Sequence, residues 1–180
     1  PEINGGGYVD DTQYVLGALL PSGGFQTGWT RFKRGVGRYD YSPVMPLQIG
    51  TMSGEHEIID DAPIVVLANS HSVSMSEHTS LGAKLLKNGC LIGNRTFGGL
   101  CMLTNEADFA FNYTAHVGEA GKTPVYCYLP NMAFLDMEKK PVEGVGVEPD
   151  IEVDFDYFTF VFEDRDTQLD RALEYIRTGK

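Results

Sequence analysis

Basic side chains are scarce in this chain: 14 lysines and arginines stand against 25 aspartates and glutamates, a formal charge of -11. A polyanion would be repelled, and the short basic run Arg31-Phe32-Lys33-Arg34 is soon followed by Asp40, so nucleic acid is excluded as a partner. Long apolar runs are also missing. Nothing approaches the roughly 18 residues of a membrane span, and residues 1–20 carry no basic, apolar and cleavage regions of a secretory leader. Cysteine is rare: Cys90, Cys101 and Cys127 are odd in number and form neither a Cys-x-x-Cys zinc pattern nor a disulfide framework, so buried free thiols are expected. The acidic residues between Glu143 and Asp170 lack the density of a calcium loop and read as a solvated surface; no metal or organic cofactor is implied.

What is present is a globular composition, 42% hydrophobic and 22% charged over 180 residues, with no repeat, low-complexity tract or interior linker. Asn4-Gly5-Gly6-Gly7 is a turn whose glycines permit positive φ and close approach of another group. Pro1-Glu2-Ile3 before it reads as the end of a strand that begins upstream. Residues 1–180 are therefore expected to be a single domain forming the C-terminal part of a longer protein. Asp10 or Asp11 is expected to cap a helix with Tyr14, Val15, Ala18 and Leu19 on its apolar side, stopped by Pro21-Ser22-Gly23-Gly24. Residues 25–60, rich in Gly and Pro, read as strands or loops over a surface.

Ile64-Val65-Val66-Leu67-Ala68 is a continuous apolar run, the pattern of a strand covered on both faces. A helix over about 75–88 should follow, with Leu81, Leu85 and Leu86 inward and Asn88-Gly89 as its stop. A short strand at 90–93 and the turn Thr96-Phe97-Gly98-Gly99 come next. Alternation around 109–113 and 124–129 predicts antiparallel strands. Leu169, Leu173 and Ile176 predict a docking helix with an acidic start between Asp166 and Arg177. Strand-helix-strand order places the chain in the α/β class.

The serines at Asn69-Ser70-His71-Ser72-Val73-Ser74-Met75-Ser76-Glu77 sit between that strand and that helix. The first turn of a helix offers unpaired N–H groups and a partial positive charge, which stabilise an oxyanion forming beside a serine nucleophile. Ser74 with Glu77 also reads as a capping box, Ser-x-x-Glu. The two roles are compatible.

Four segments, taken in order, resemble the tail-specific or C-terminal processing peptidases and their relative, the tricorn core protease. They are Asn4-Gly5-Gly6-Gly7; Val65 through Glu77; Gly93-Asn94-Arg95-Thr96-Phe97-Gly98-Gly99; and the run from Glu143 to Val153, Glu-Gly-Val-Gly-Val-Glu-Pro-Asp-Ile-Glu-Val. The resemblance implies an α/β domain of the Clp protease and crotonase type, a spiral of ββα units with a mixed sheet flanked by helices. It implies Ser74 as nucleophile, with Ser72 and Ser76 as neighbours and Glu77, Thr96, Gly98 and Gly99 in support. The oxyanion hole it implies uses the Met75 N–H and one from the glycine turn, at Gly6 or an adjacent position.

In the processing peptidases the later turn ends Thr-Phe-Gly-Lys-Gly, and its lysine is the general base. Here position 99 is glycine, which excludes a Ser-Lys dyad there. The turn is similar instead to the tricorn branch, whose base is a histidine from an earlier segment and whose downstream glutamate corresponds to Glu143. A neutral imidazole is the usual activator of a serine hydroxyl, so the resemblance implies a histidine upstream of Pro1. Of the four histidines present, His71 and His78 are the nearest to Ser74 in sequence, with local hydrogen bonding or surface exposure expected for both; His56 and His116 fall in loop or strand surfaces. A second departure is Glu2, where the family commonly has arginine.

The function implied is serine peptidase activity through an acyl-enzyme on Ser74, acting on peptide or protein substrates, with the 180-residue fragment inactive without the missing N-terminal part of the same protein. A homo-oligomer is compatible with the family, and an exported or membrane-associated location follows from family analogy alone. The alternative is a non-catalytic hydrophobic-ligand or peptide-binding domain on the same scaffold, as in retinoid-binding relatives. An acyl-CoA enzyme is the weakest option, since nothing reads as an adenine or pyrophosphate site.

Overall fold

In chain order the described elements are α1 (Val9–Ala18), β1 (Phe25–Phe32), β2 (Met45–Ile49), β3 (Ile64–Ala68), α2 (Met75–Leu85), β4 (Gly89–Gly93), β5 (Ala115–Val117), β6 (Val125–Cys127), β7 (Met132–Leu135), β8 (Ile151–Glu152), α3 (Tyr157–Glu163) and α4 (Thr167–Thr178). They come from a computed structural model that describes residues 4–19, 24–50, 62–100, 115–117, 125–127 and 132–180. The expected mixture of strand types is present but divided: an antiparallel sheet β2-β1-β7, a parallel sheet β3-β4-β8, and an antiparallel pair β5-β6. The pair β5-β6 answers the strand predicted over 124–129; the alternation at 109–113 lies outside the described residues.

The parallel sheet explains why its strands read as continuous apolar runs. Successive residues point to opposite faces, and both faces are covered. Val66, Ala68 and Leu91 face a core with Met75, Leu100, Met132, Phe134, Val142 and Val147, which lies between this sheet, α2 and the antiparallel sheet. Val65, Leu67, Cys90, Ile92, Ile151 and Val153 face Ala172 and Tyr175 of α4. A third cluster joins Leu16 of α1, Ile49 of β2 and Leu86 at the end of α2. α1 approaches α2 closely at Gly82, where a Cβ would lie 2.4 Å from Leu16 Cδ1.

Four expectations about the helices are corrected. Tyr8, not an aspartate, is the N-cap of α1; Asp11 reaches back from the third helical position to the Tyr8 N–H at 3.4 Å. Tyr14 and Val15 are exposed while Thr12 and Leu16 are buried, so the inward face is rotated from the predicted one. Leu169, Leu173 and Ile176 of α4 likewise face outward, and Gln168 and Ala172 are the buried residues. Gln168 is buried because it has work there: its Nε2 donates to Asn94 Oδ1 at 2.9 Å and to the Val153 carbonyl at 2.8 Å. α2 ends at Leu85, with Leu86 already extended (φ -69°, ψ 138°) and Leu85 exposed.

Acidic residues of the 143–170 region serve as local fasteners. Asp166, at the acidic start expected for this helix, caps α4 by accepting from the Gln168 and Leu169 N–H groups, and Asp156 caps α3 in the same way. Asp150 exchanges two bonds with Leu91 of β4, its N–H to the carbonyl at 2.8 Å and its Oδ2 from the amide at 2.9 Å. Lys84 Nζ completes this fastening with a 2.7 Å ion pair to Asp150. Cys90 is a buried free thiol as expected, and burial, with the Asp150 charge nearby, pushes its thiol above the ordinary range. Cys101 and the Cys127 side chain lie outside the described parts.

Candidate active site

The C-terminal ends of β3, β4 and β8 lie side by side, which is where parallel sheets of α/β proteins gather their functional loops. The chain leaves β3 at Ala68, turns through Asn69–Val73 and enters α2 at Ser74. Ser74 has φ 63° and ψ -126°, a positive φ at a non-glycine residue. Such a conformation costs about 1–3 kcal/mol and persists where surrounding contacts impose it, commonly at active sites. A strained strand-to-helix turn that lifts a serine hydroxyl clear of the backbone is the geometry of nucleophile elbows.

The neighbouring hydroxyls are committed. Ser72 Oγ accepts from the Asn69 N–H at 3.1 Å, and Ser76 Oγ donates to the carbonyls of Asn4 and Val73 at 3.1 and 2.8 Å. The Ser74 hydroxyl faces the first turn of α2 without closing a cap hydrogen bond. Half-exposed, it is the member of the trio left for other chemistry among the described residues. The expected capping box is present, the Ser74 side chain turned to the Glu77 N–H and Glu77 Oε2 accepting from the Ser74 N–H at 3.1 Å.

Glu77 is fully buried and organises the site. Its Oε1 accepts from Thr96 Oγ1 and the Gly98 N–H, both at 2.6 Å, and its Oε2 from the Gly99 N–H at 2.7 Å as well as from Ser74. Four donors around one carboxylate satisfy a charge that would otherwise be costly to bury. The supporting residues read from the sequence, Glu77, Thr96, Gly98 and Gly99, thus meet at one side chain. Thr96 Oγ1 in turn accepts the Val147 N–H at 2.7 Å, and the Gly98 carbonyl accepts the Gly144 N–H at 2.7 Å. Gly98 (φ 86°) has no room for a side chain, since a Cβ would lie 2.8 Å from the Gly146 and Val145 amides.

The glycine turn docks on the other side of the serine. Gly6 (φ 86°) lies so close that a Cβ would sit 2.6 Å from Ser74 Cβ and 2.8 Å from the Met75 amide nitrogen. The Gly6 N–H is itself taken by Asn4 Oδ1 at 3.0 Å, whereas the Met75 and Gly7 N–H groups donate to no partner among the described residues. Asn4 was missed as a positioning residue: its carbonyl accepts the Val73 N–H at 3.1 Å as well as the Ser76 hydroxyl. Its place beside a glycine run was the only sequence signal.

Position 99 cannot host the lysine of a Ser-Lys dyad without rearrangement, because a Cβ there would meet Val73 Cγ2 at 2.8 Å. His78 is a core residue. Its Nε2 lies 2.8 Å from Thr27 Oγ1, its ring stands edge-on to Phe134, and burial lowers its pKa to about 4. Thr27 reaches it from a β-bulge that shifts the register between Gln26 and Gly28. His71 is exposed, with its backbone N–H bound to Asn69 Oδ1 at 2.8 Å. His116 belongs to β5, and His56 is outside the described residues. Glu143 is exposed on the 142–146 turn that packs against Gly98. No group of His, Cys, Asp and Glu able to hold a metal ion occurs among the described residues.

Comparison with solved structures finds the same fold in a protein described as a peptidase of Parabacteroides merdae ATCC 43184, at 22% identity and a TM-score of 0.77 over 98% of this chain. The tricorn protease matches at 23% identity and a TM-score of 0.58 over 98% of the chain, and mature CPAF at 15% and 0.66 over 97%. The chain spans 50% of the Parabacteroides protein, 14% of tricorn and 40% of CPAF. No curated protein sequence matches it. The model of peptidase family S41 matches residues 3–153. A match over most of the chain, carrying the glycine turn, the Ser74 elbow and the Glu77-bound turn, shows that this protein belongs to peptidase family S41.

Proposed function

We propose that this chain is the catalytic core of a serine peptidase that cleaves peptide bonds through an acyl-enzyme on Ser74. The observation that carries the reading is the strained Ser74 at the start of α2, its hydroxyl unspent beside a glycine turn in van der Waals contact. In the reaction Ser74 Oγ attacks the scissile carbonyl and loses its proton to a general base. The developing oxyanion is met by the Met75 N–H, the first unpaired donor of α2, and by an N–H of the glycine turn. Of the two positions the resemblance allows, Gly6 and its neighbour, Gly7 has the uncommitted donor, because Asn4 already holds that of Gly6. Glu77 holds Ser74 and the 96–99 turn in register without touching substrate.

In this reading the base is a histidine outside these 180 residues, as the resemblance to the tricorn branch implies, with His78 sealed in the core and no lysine at position 99. Glu143 orients that histidine or a substrate amine. The test uses full-length protein and a fluorophosphonate probe: labelling at Ser74, abolished by Ser74→Ala, is the expected result. Equal labelling of the Ala variant overturns the assignment.

A further inference from the structure

A cavity of about 270 Å³ opens between α1 and the first turn of α2, and its walls include Gly6, Tyr8, Asp11, Val15, Met75 and Thr79. It shares Gly6 and Met75 with the turn around Ser74 and so adjoins the place where a substrate would meet that hydroxyl. We propose that this cavity is the specificity subsite and that it selects a lysine or arginine side chain through Asp11. The inference rests on Ser74 being the nucleophile.

The walls suit a long side chain with an apolar stem and a charged end. Tyr8, Val15 and Met75 offer apolar surface to such a stem, and Tyr8 and Val15 are exposed. The carboxylate of Asp11 is the charged group of the lining. Its hydrogen bond to the Tyr8 N–H is long at 3.4 Å, and no cation pairs with it among the described residues. Among these residues only that bond and the first turn of α1 meet its charge, which leaves it open to a cationic end. Thr12 and Thr79 are turned to the Met75 carbonyl, at 3.4 and 3.0 Å, and compete little for that end. The overall charge of -11 adds a long-range field that draws basic peptides and disfavours acidic ones.

The test compares full-length protein on internally quenched decapeptides that differ only in carrying lysine, norleucine or glutamate at either residue flanking the cleaved bond. Lysine should exceed glutamate in kcat/KM by about tenfold or more at one of the two positions. Asp11→Asn should lower the lysine substrate by about tenfold and leave norleucine within about twofold. Val15→Lys, on an exposed part of α1 away from its cap, should reverse the order so that glutamate is preferred. Ser74-dependent cleavage with the lysine-to-glutamate ratio unchanged by both substitutions overturns the subsite and leaves the nucleophile standing. Undiminished cleavage by Ser74→Ala overturns both together.

Discussion

Replacing Glu77 with glutamine tests how much of the site rests on one carboxylate. Each oxygen now serves two donors, Thr96 and Gly98 on Oε1, Gly99 and Ser74 on Oε2. An amide turns one acceptor into a donor. If the new NH2 takes the Oε2 place, two backbone N–H groups lose their partner. If it takes the Oε1 place, Thr96 can accept from it, but the Gly98 N–H is stranded in the interior. The better arrangement still leaves one buried donor unsatisfied and weakens the remaining bonds by removing the charge, a loss of about 3 kcal/mol. Set against a domain stability of about 5–15 kcal/mol, that is survivable. With a urea m-value of about 1–3 kcal/mol/M, the midpoint should fall by about 1–3 M at constant m. Hydrogen exchange should show the amides of Gly98 and Gly99 losing protection before the strands β3 and β4. A variant within about 0.5 kcal/mol of the parent, with those amides still protected, would refute the carboxylate hub.

Two further outcomes are expected. Because the folded state holds His78 at about 4 against 6.5 when unfolded, stability is full above pH 6.5 and is lost as pH falls through 4, by about 3 kcal/mol. His78→Gln keeps a partner for Thr27, cannot ionise, and should flatten that slope in urea melts taken between pH 7 and 4. In Gly6→Ala, the new methyl would press on Ser74 Cβ from a positive φ, and probe labelling of Ser74 should slow about 100-fold or more. An urea midpoint that falls further than in Glu77→Gln would mean the effect is on folding rather than on the site.

The strand at 64–68, the short strand at 90–93 and the elbow at Ser74 were legible because local propensity and tertiary packing agree there: apolar runs covered on both faces, a serine at a helix start, glycines at positions with φ 86° and no room for Cβ. The helix faces were not. The spacing of Leu169, Leu173 and Ile176 is that of a core stripe, yet the buried face carries Gln168 and Ala172, since two strand-end acceptors needed an amide more than α4 needed three leucine-sized contacts. α1 turned by the same logic: Thr12 and Leu16 go inward against Met75 and Gly82, and Tyr14 and Val15 stay at the surface. The antiparallel sheet was unreadable, because it joins Trp29 to Leu135 across more than half of the chain. Local pattern carries no information about so distant a register.

The pairing of β8 with β4 has a temporal side. Ile92 waits for Ile151, and Leu91 for Asp150, so during synthesis β3, the elbow, α2 and β4 leave the ribosome well before the segment that fastens the 142–147 turn beneath Gly98. A chain stalled or cut short of Asp150 would carry the serine but not Glu143 in its place, nor Val147 behind Thr96. Unfinished copies therefore lack the two contacts, Val147 N–H to Thr96 and Gly144 N–H to the Gly98 carbonyl, that brace the 96–99 turn beside Ser74.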